Sequence, residues 1–300
     1  MSLEDLGPPL VPTAAALIAE VDAAIYTGKR VARHVLSEFT NDTERILGTV
    51  AERESLVYGV GNPDESGHTV LHAMSSREGA RAHYDRLRTM VDVTEWRPFT
   101  ELRRDWYVFY DGVVTLTDIR TGVPGRYESI VLFPIGPEPG IQGELAWTAH
   151  LDRRVGEPRG PADPDPAPIN KVANLDLHER LLAAWRAADA DAVAREMAGN
   201  VGTSLRDYCG GTPYGAVYGR DAARDYYARL FAVFEPRAVD MVNIVTGDWF
   251  FFAEHRWDTI CRAGPHAGAR ARFCTAVMFP LMKDGTVTAQ IGYGTDPIYG

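Results

Sequence analysis

Cysteine is scarce: Cys209, Cys261 and Cys274 are the only three in 300 residues, all in the second half, with no CxxC spacing. An odd, unpaired set argues against a disulfide framework and for a reducing compartment, so the expected location is cytoplasmic. Metal and nucleotide signatures are missing too. The eight histidines form no HExxH and no Cys/His cluster, so no metal and no cofactor are expected. No GxGxxG follows a strand and no GxxxxGK[ST] occurs, which argues against a nucleotide-binding fold. Basic charge is in deficit, 31 Lys and Arg against 41 Asp and Glu, for a net charge of −10. A nucleic-acid partner is disfavoured, because binding one needs a basic face to displace counterions. No apolar run approaches the ~18 residues of a spanning helix, so no membrane partner is expected. Met1-Ser2-Leu3-Glu4-Asp5 opens with acids and does not read as a secretory signal.

What the chain does have is internal likeness. Arg77 to Leu87 aligns with Arg220 to Leu230, six of the eleven positions being identical. The same shift of 143 residues carries Asp105-Trp106-Tyr107-Val108-Phe109 onto Asp248-Trp249-Phe250-Phe251-Phe252. After a short insertion, Ile130 to Pro134 meets Ala276 to Pro280, and Ile141 to His150 meets Val287 to Asp296. Upstream, Ser55-Leu56 is matched to Ser204-Leu205, which sets Tyr58 opposite Asp207. Conserved order over so long a stretch reads as a tandem duplication. Five prolines between Asp152 and Ala173 mark a semi-rigid linker. The expected units are 1–151, then the linker 152–173, then 174–300.

Each copy reads as helices followed by strands. In the second, Leu177, Leu181, Leu182, Trp185, Ala188 and Val193 recur near a 3.6 period, with Asn174 as the expected cap. Arg220 to Phe234 reads as a further helix, and four strands follow: 239–246, 248–261, 270–282 and 286–293. Ser75-Ser76-Arg77-Glu78 reads as a capping box in the first copy. Helices followed by an antiparallel meander define an α+β fold. A curved sheet wrapped round its own helices leaves a concave interior suited to an apolar pocket.

Leu181 to Val193, Tyr218 to Ala223, the aromatic strand and Lys283 to Val287 together resemble the nuclear transport factor 2-like, or SnoaL-like, superfamily. Its members include ketosteroid isomerases, limonene-epoxide hydrolases, scytalone dehydratases and polyketide cyclases. The resemblance implies cone-shaped α+β barrels with a hydrophobic cavity, paired through their outer sheet faces. A tandem chain would make that pair internally, as a pseudo-dimer, with further homo-oligomerisation open. It also implies a cofactor-independent acid/base enzyme acting on a hydrophobic small molecule such as a polyketide, terpenoid or steroid. The alternative is a non-catalytic binding or pairing protein of the same fold.

Candidate residues cluster in the second copy. Asp207 sits where ketosteroid isomerase-like relatives place a general base; the plainer reading is a turn acid. Glu254, Arg256 and Asp258 share one strand face, either bracing each other in a cavity or pairing on a solvated surface. Arg256 and Asp258 are similar to the Arg-x-Asp pair of limonene-epoxide hydrolases, and Tyr208 to that family's substrate-orienting tyrosine. That family's second aspartate falls on Gly292 and its asparagine on Gly210, so its water-activating set is incomplete here. His255, on the opposite face, is a candidate acid/base residue or a hydrogen-bonded structural one. Tyr226 is a candidate oxyanion donor or rim residue. Trp249 and Phe251 read as core first, and with Tyr226 and Glu254 as the expected substrate-contacting walls. The first copy has Tyr58, Asp111, Gly112, Val113 and Thr115 at the aligned places and is therefore read as the catalytically degenerate half.

Overall fold

A computed structural model describes residues 14–52, 56–63, 69–148, 171–209, 214–282 and 284–300. The proline-rich stretch from 152 to 170 lies outside the described residues. Residues 171–173 are not linker, because they open a helix.

The first half runs α1 (Ala14–Glu38), α2 (Thr43–Leu47), β1 (Val57–Pro63), β2 (Thr69–Met74), α3 (Arg77–Met90), β3 (Val91–Arg103), β4 (Tyr107–Asp118), β5 (Pro124–Pro134) and β6 (Gly143–Thr148). The second runs α4 (Lys171–Arg186), α5 (Ala190–Arg195), β7 (Met197–Arg206), β8 (Tyr214–Tyr218), α6 (Arg220–Val233), β9 (Phe234–Thr246), β10 (Phe250–Cys261), β11 (Arg270–Pro280), β12 (Val287–Gly294) and the short β13 (Ile298–Tyr299). Two cap expectations shift. Ser76, not Ser75, caps α3 by accepting the Gly79 N–H, so no reciprocal box forms. Asn174 lies inside α4, and its side-chain amide donates to the Gly247 carbonyl at 2.7 Å.

The sheet orders are β2-β1-β6-β5-β4-β3 and β8-β7-β12-β11-β10-β9, the same path twice. The expected antiparallel meander holds from β3 to β6 and from β9 to β12. Each sheet is nevertheless mixed, because β1 pairs parallel with β6 and β7 parallel with β12. Neither closes into a barrel among the described residues. Registers match between the halves: Tyr107 pairs with Pro134, and Phe250 with Pro280. The upstream alignment needs correction. Tyr58 stands beside Glu144 and Thr203 beside Gln290, so the counterpart of Tyr58 is Thr203 and not Asp207.

Strand alternation sorts the apolar residues into three cores. One lies under the helices of the first half, around Leu47, Leu56, Val108 and Ile141. Another lies under those of the second, around Leu181, Tyr227, Phe251 and Trp257. The third joins the opposite faces of both sheets, where Phe109 stacks on Phe252 with ring centroids 4.2 Å apart. Strands β4 and β10 are therefore buried on both faces, which is why their sequences read as continuous apolar runs.

Candidate active site

The most concentrated ionisable group lies in the first half, not the second. His34 and Glu38 are four residues apart on α1, one turn above the other on a single face. α3 brings in Tyr84, and β6 points Glu144 to the helix-covered side while Leu145 and Trp147 enter the core between the sheets. The Tyr84 hydroxyl is 3.0 Å from Glu144 Oε2, 3.3 Å from His34 Nε2 and 3.5 Å from Glu38 Oε1. His34 Nε2 is itself 3.5 Å from Glu38 Oε1 and 3.9 Å from Glu144 Oε2. His34 is 0% exposed. Behind the ring, Nδ1 is 2.6 Å from Thr49 Oγ1, whose own proton goes to the Ile46 carbonyl. Thr49 Oγ1 must then accept, so Nδ1 carries hydrogen and Nε2 faces the carboxylates.

Burial opposes a charge on His34, but the hydrogen bonds and attraction of Glu144 and Glu38 outweigh it and raise its pKa to about 9. Burial, then the charge of Glu144, pushes the Glu38 carboxyl up. Burial works the same way on Glu144, yet contact with His34 brings it below its usual range. Burial raises the Tyr84 phenol well above its ordinary value. The surroundings thus push the two carboxyl groups in opposite directions, the separation that proton-transfer chemistry uses.

Beside this group opens a cavity of about 160 Å³. Glu38, Tyr84, His83 and Glu144 are its ionisable lining, and its walls include Phe39, Val60, Trp96, Leu116, Val131 and Phe133.

The second half lacks this set. The turns after α1 and α4 share a left-handed residue, Asn41 (φ 51°) and Ala188 (φ 52°), followed by capping Asp42 and Asp189. Counting back from them places Leu181 opposite His34 and Trp185 opposite Glu38. Sheet register places Gln290 opposite Glu144. Tyr227 repeats Tyr84, but its hydroxyl donates to the Gln290 amide oxygen at 2.5 Å. The cavity there is only about 30 Å³, room for about one water.

The residues singled out in the second half do not converge. Asp207 accepts the Cys209 N–H at 2.8 Å as a turn acid and does not line that cavity. Glu254, Arg256 and Asp258 do share a strand face, but it is the one turned away from the helices. Glu254, 1% exposed, is buried between the halves, where it accepts from Tyr107 (2.9 Å) and Asn243 (2.5 Å). Arg256 is out in solvent beside Asp240, and Asp258 pairs with Arg270 at the surface. Trp249 belongs to the core between the sheets, and Phe251 stacks on Phe279 in the helix-side core; neither lines the first-half cavity or the small one of the second half. Tyr208, Tyr226 and His255 do border the small cavity. The Tyr226 hydroxyl donates to the Arg206 carbonyl and that of Tyr208 to the Thr295 carbonyl. His255 Nε2 lies 2.8 Å from His178 Nε2. Burial, then His178 and Arg186, holds the His255 pKa well below its ordinary value.

No protein-family model matches the chain, and no curated protein does. Solved structures similar to it include a candidate SnoaL-like polyketide cyclase from Jannaschia sp. CCS1, 21% identical over 44% of this chain and 91% of that one (TM-score 0.36). Another is an LEH-like epoxide hydrolase from M. tuberculosis, 18% identical over 41% and 84% (TM-score 0.33). A third is SalBIII, an epoxide hydrolase/cyclase-like enzyme, 14% identical over 44% and 93% (TM-score 0.34). Each spans less than half of this chain and most of its own length, the extent of one copy.

Proposed function

We propose that the first half is the working half: an acid/base catalyst of the isomerase, dehydratase, cyclase or epoxide-opening type, with the second half as its structural partner. One observation carries this reading, the buried His34–Glu38–Glu144–Tyr84 group at the end of an apolar cavity. Glu144, kept ionised by His34, is the proton acceptor. Tyr84 is the donor that meets negative charge as it develops on substrate oxygen. Glu38, held towards its protonated form, gives its own proton to the substrate, and the proton taken up by Glu144 passes back to Glu38 through the Tyr84 hydroxyl that contacts both. A substrate seated against the apolar walls would displace water from the group, which strengthens each of these interactions. A cavity of about 160 Å³ takes a single ring or a short branched chain, since an engineered cavity of ~150 Å³ holds benzene. A steroid nucleus does not fit within it.

The test is turnover on small β,γ-unsaturated ketones, β-hydroxy ketones and epoxides, with binding read from Trp96 fluorescence. Glu144→Gln and Tyr84→Phe should lower kcat by ~10²-fold or more while leaving binding within a few-fold. Asp207→Asn should change neither. Full turnover in Glu144→Gln would refute the assignment. Tight binding without turnover of any class would leave a non-catalytic binding protein.

A further inference from the structure

The donor atoms around Tyr84 have a second geometric property. His34 Nε2, Glu38 Oε1, Glu144 Oε2 and the Tyr84 hydroxyl are separated by 3.0, 3.3, 3.5, 3.5 and 3.9 Å. His34, Glu38 and Glu144 can each offer one ligand atom such that all three lie within 4.8 Å of one another. A tetrahedron whose corners lie ~2.1 Å from its centre has edges of about 3.4 Å, and ~2.1 Å is the bond length of zinc to imidazole nitrogen and carboxylate oxygen. We infer that these four side chains form a binding site for a divalent first-row transition ion of the zinc class, which the sequence reading did not anticipate. This rests on the reading of the cavity as the reactive site. With the ion bound, His34 is neutral and both carboxylates are ionised, so the acid/base roles given to Glu38, Glu144 and Tyr84 are those of the ion-free protein.

Two further features point the same way. Thr49 holds Nδ1 by its hydrogen and aims Nε2 at the other donors, the support that metal-bound histidines receive. Charge balances as well. Two carboxylates and a neutral imidazole around a dication make a buried group with no net charge. The second half is a natural control, because Leu181, Trp185 and Gln290 remove every ligand but the tyrosine.

The test uses the full chain stripped with a chelator and titrated with Co(II), followed by the intense visible bands of four-coordinate cobalt and by Zn(II) displacement. One ion per chain is expected, with zinc displacing cobalt. Glu144→Gln and Glu38→Gln should each weaken binding by ~100-fold or more, and Thr49→Val by ~10–100-fold. Tyr84→Phe, which keeps the packing, should alter the band shape, and Gln290→Ala should change nothing. Circular dichroism separates loss of ligands from loss of fold. Absence of the bands at stoichiometric cobalt, or bands indifferent to Glu144→Gln, Glu38→Gln and Tyr84→Phe in folded protein, would overturn the inference. The two readings fail separately. Chelator-insensitive turnover without bound ion overturns the metal site alone, and an ion bound without turnover of any class overturns the catalytic reading alone.

Discussion

At the scale of single residues, the molecule contains two buried histidine environments of opposite sense. His34 faces two carboxylates and its pKa is raised; His255 faces another histidine and its pKa is depressed. The Nε2 atoms of His178 and His255 share a single hydrogen, and charging both rings would place two like charges 2.8 Å apart in a buried site. Burial lowers the His178 pKa as well. The sign of the pH effect follows. A histidine whose folded pKa lies below its unfolded value of 6.5 leaves the native state with fewer protons than the unfolded chain in acid. Its stabilising effect is complete above pH 6.5 and is lost as pH falls below it. The Tm of the wild type should therefore drop more steeply than that of His255→Gln between about pH 6.5 and 5. Parallel acid limbs in the two proteins would show that the pair does not titrate on unfolding.

At the scale of elements, strand β10 shows what was legible in the sequence and what was not. Its alternation correctly placed Glu254, Arg256 and Asp258 on one side and His255 on the other. Alternation divides a strand into two faces but does not say which faces the helices. The Phe250-Phe251-Phe252 run held the missing clue, since consecutive aromatics mean burial on both sides. The shifts between the copies were legible in β4, β5, β10 and β11, because register ties those strands together. The first helix follows a different shift, set by loop length, so His34 and Glu38 had no aligned counterparts to draw notice. Their absence from the second copy is legible only once the shared turn at Asn41 and Ala188 is in view. Glu254 has a structural task instead. It links β10 to Tyr107 of the other sheet and lies 3.7 Å from Arg104 Nε, and Arg104 in turn pairs with Glu20 on α1. Removing one partner from such a buried group leaves the others desolvated and unpaired, at a cost of ~3–5 kcal/mol. Glu254→Ala should lose about that much in denaturant unfolding. Glu254→Gln, which still accepts from Tyr107, should lose clearly less. Equal losses would mean that packing volume, not the polar link, is what Glu254 contributes.

For the whole molecule, the face joining the sheets decides whether the two copies are independent. Phe109, Ile130, Leu132 and Trp147 of the first sheet share one core with Phe250, Phe252, Met278 and Ile291 of the second. Polar contacts cross beside it: the Tyr218 hydroxyl donates to the Leu71 carbonyl at 2.8 Å, and that of Tyr293 to the Gln142 side chain at 2.7 Å. A half on its own would present that apolar face to water, a patch of the kind that drives association. The second half therefore does not need chemistry of its own to be kept, since it covers the sheet that carries Glu144. This coupling has a measurable signature. Truncating Phe252 to alanine removes the ring stacked on Phe109 and leaves a cavity, a change worth ~3–5 kcal/mol. If the halves stabilise each other, Phe252→Ala should lower one cooperative transition seen alike by aromatic circular dichroism and by amide hydrogen exchange of the first-half strands. Two separated transitions, with only the later one displaced, would show that each sheet stands alone. The second half would then have no hold on the geometry around Glu144.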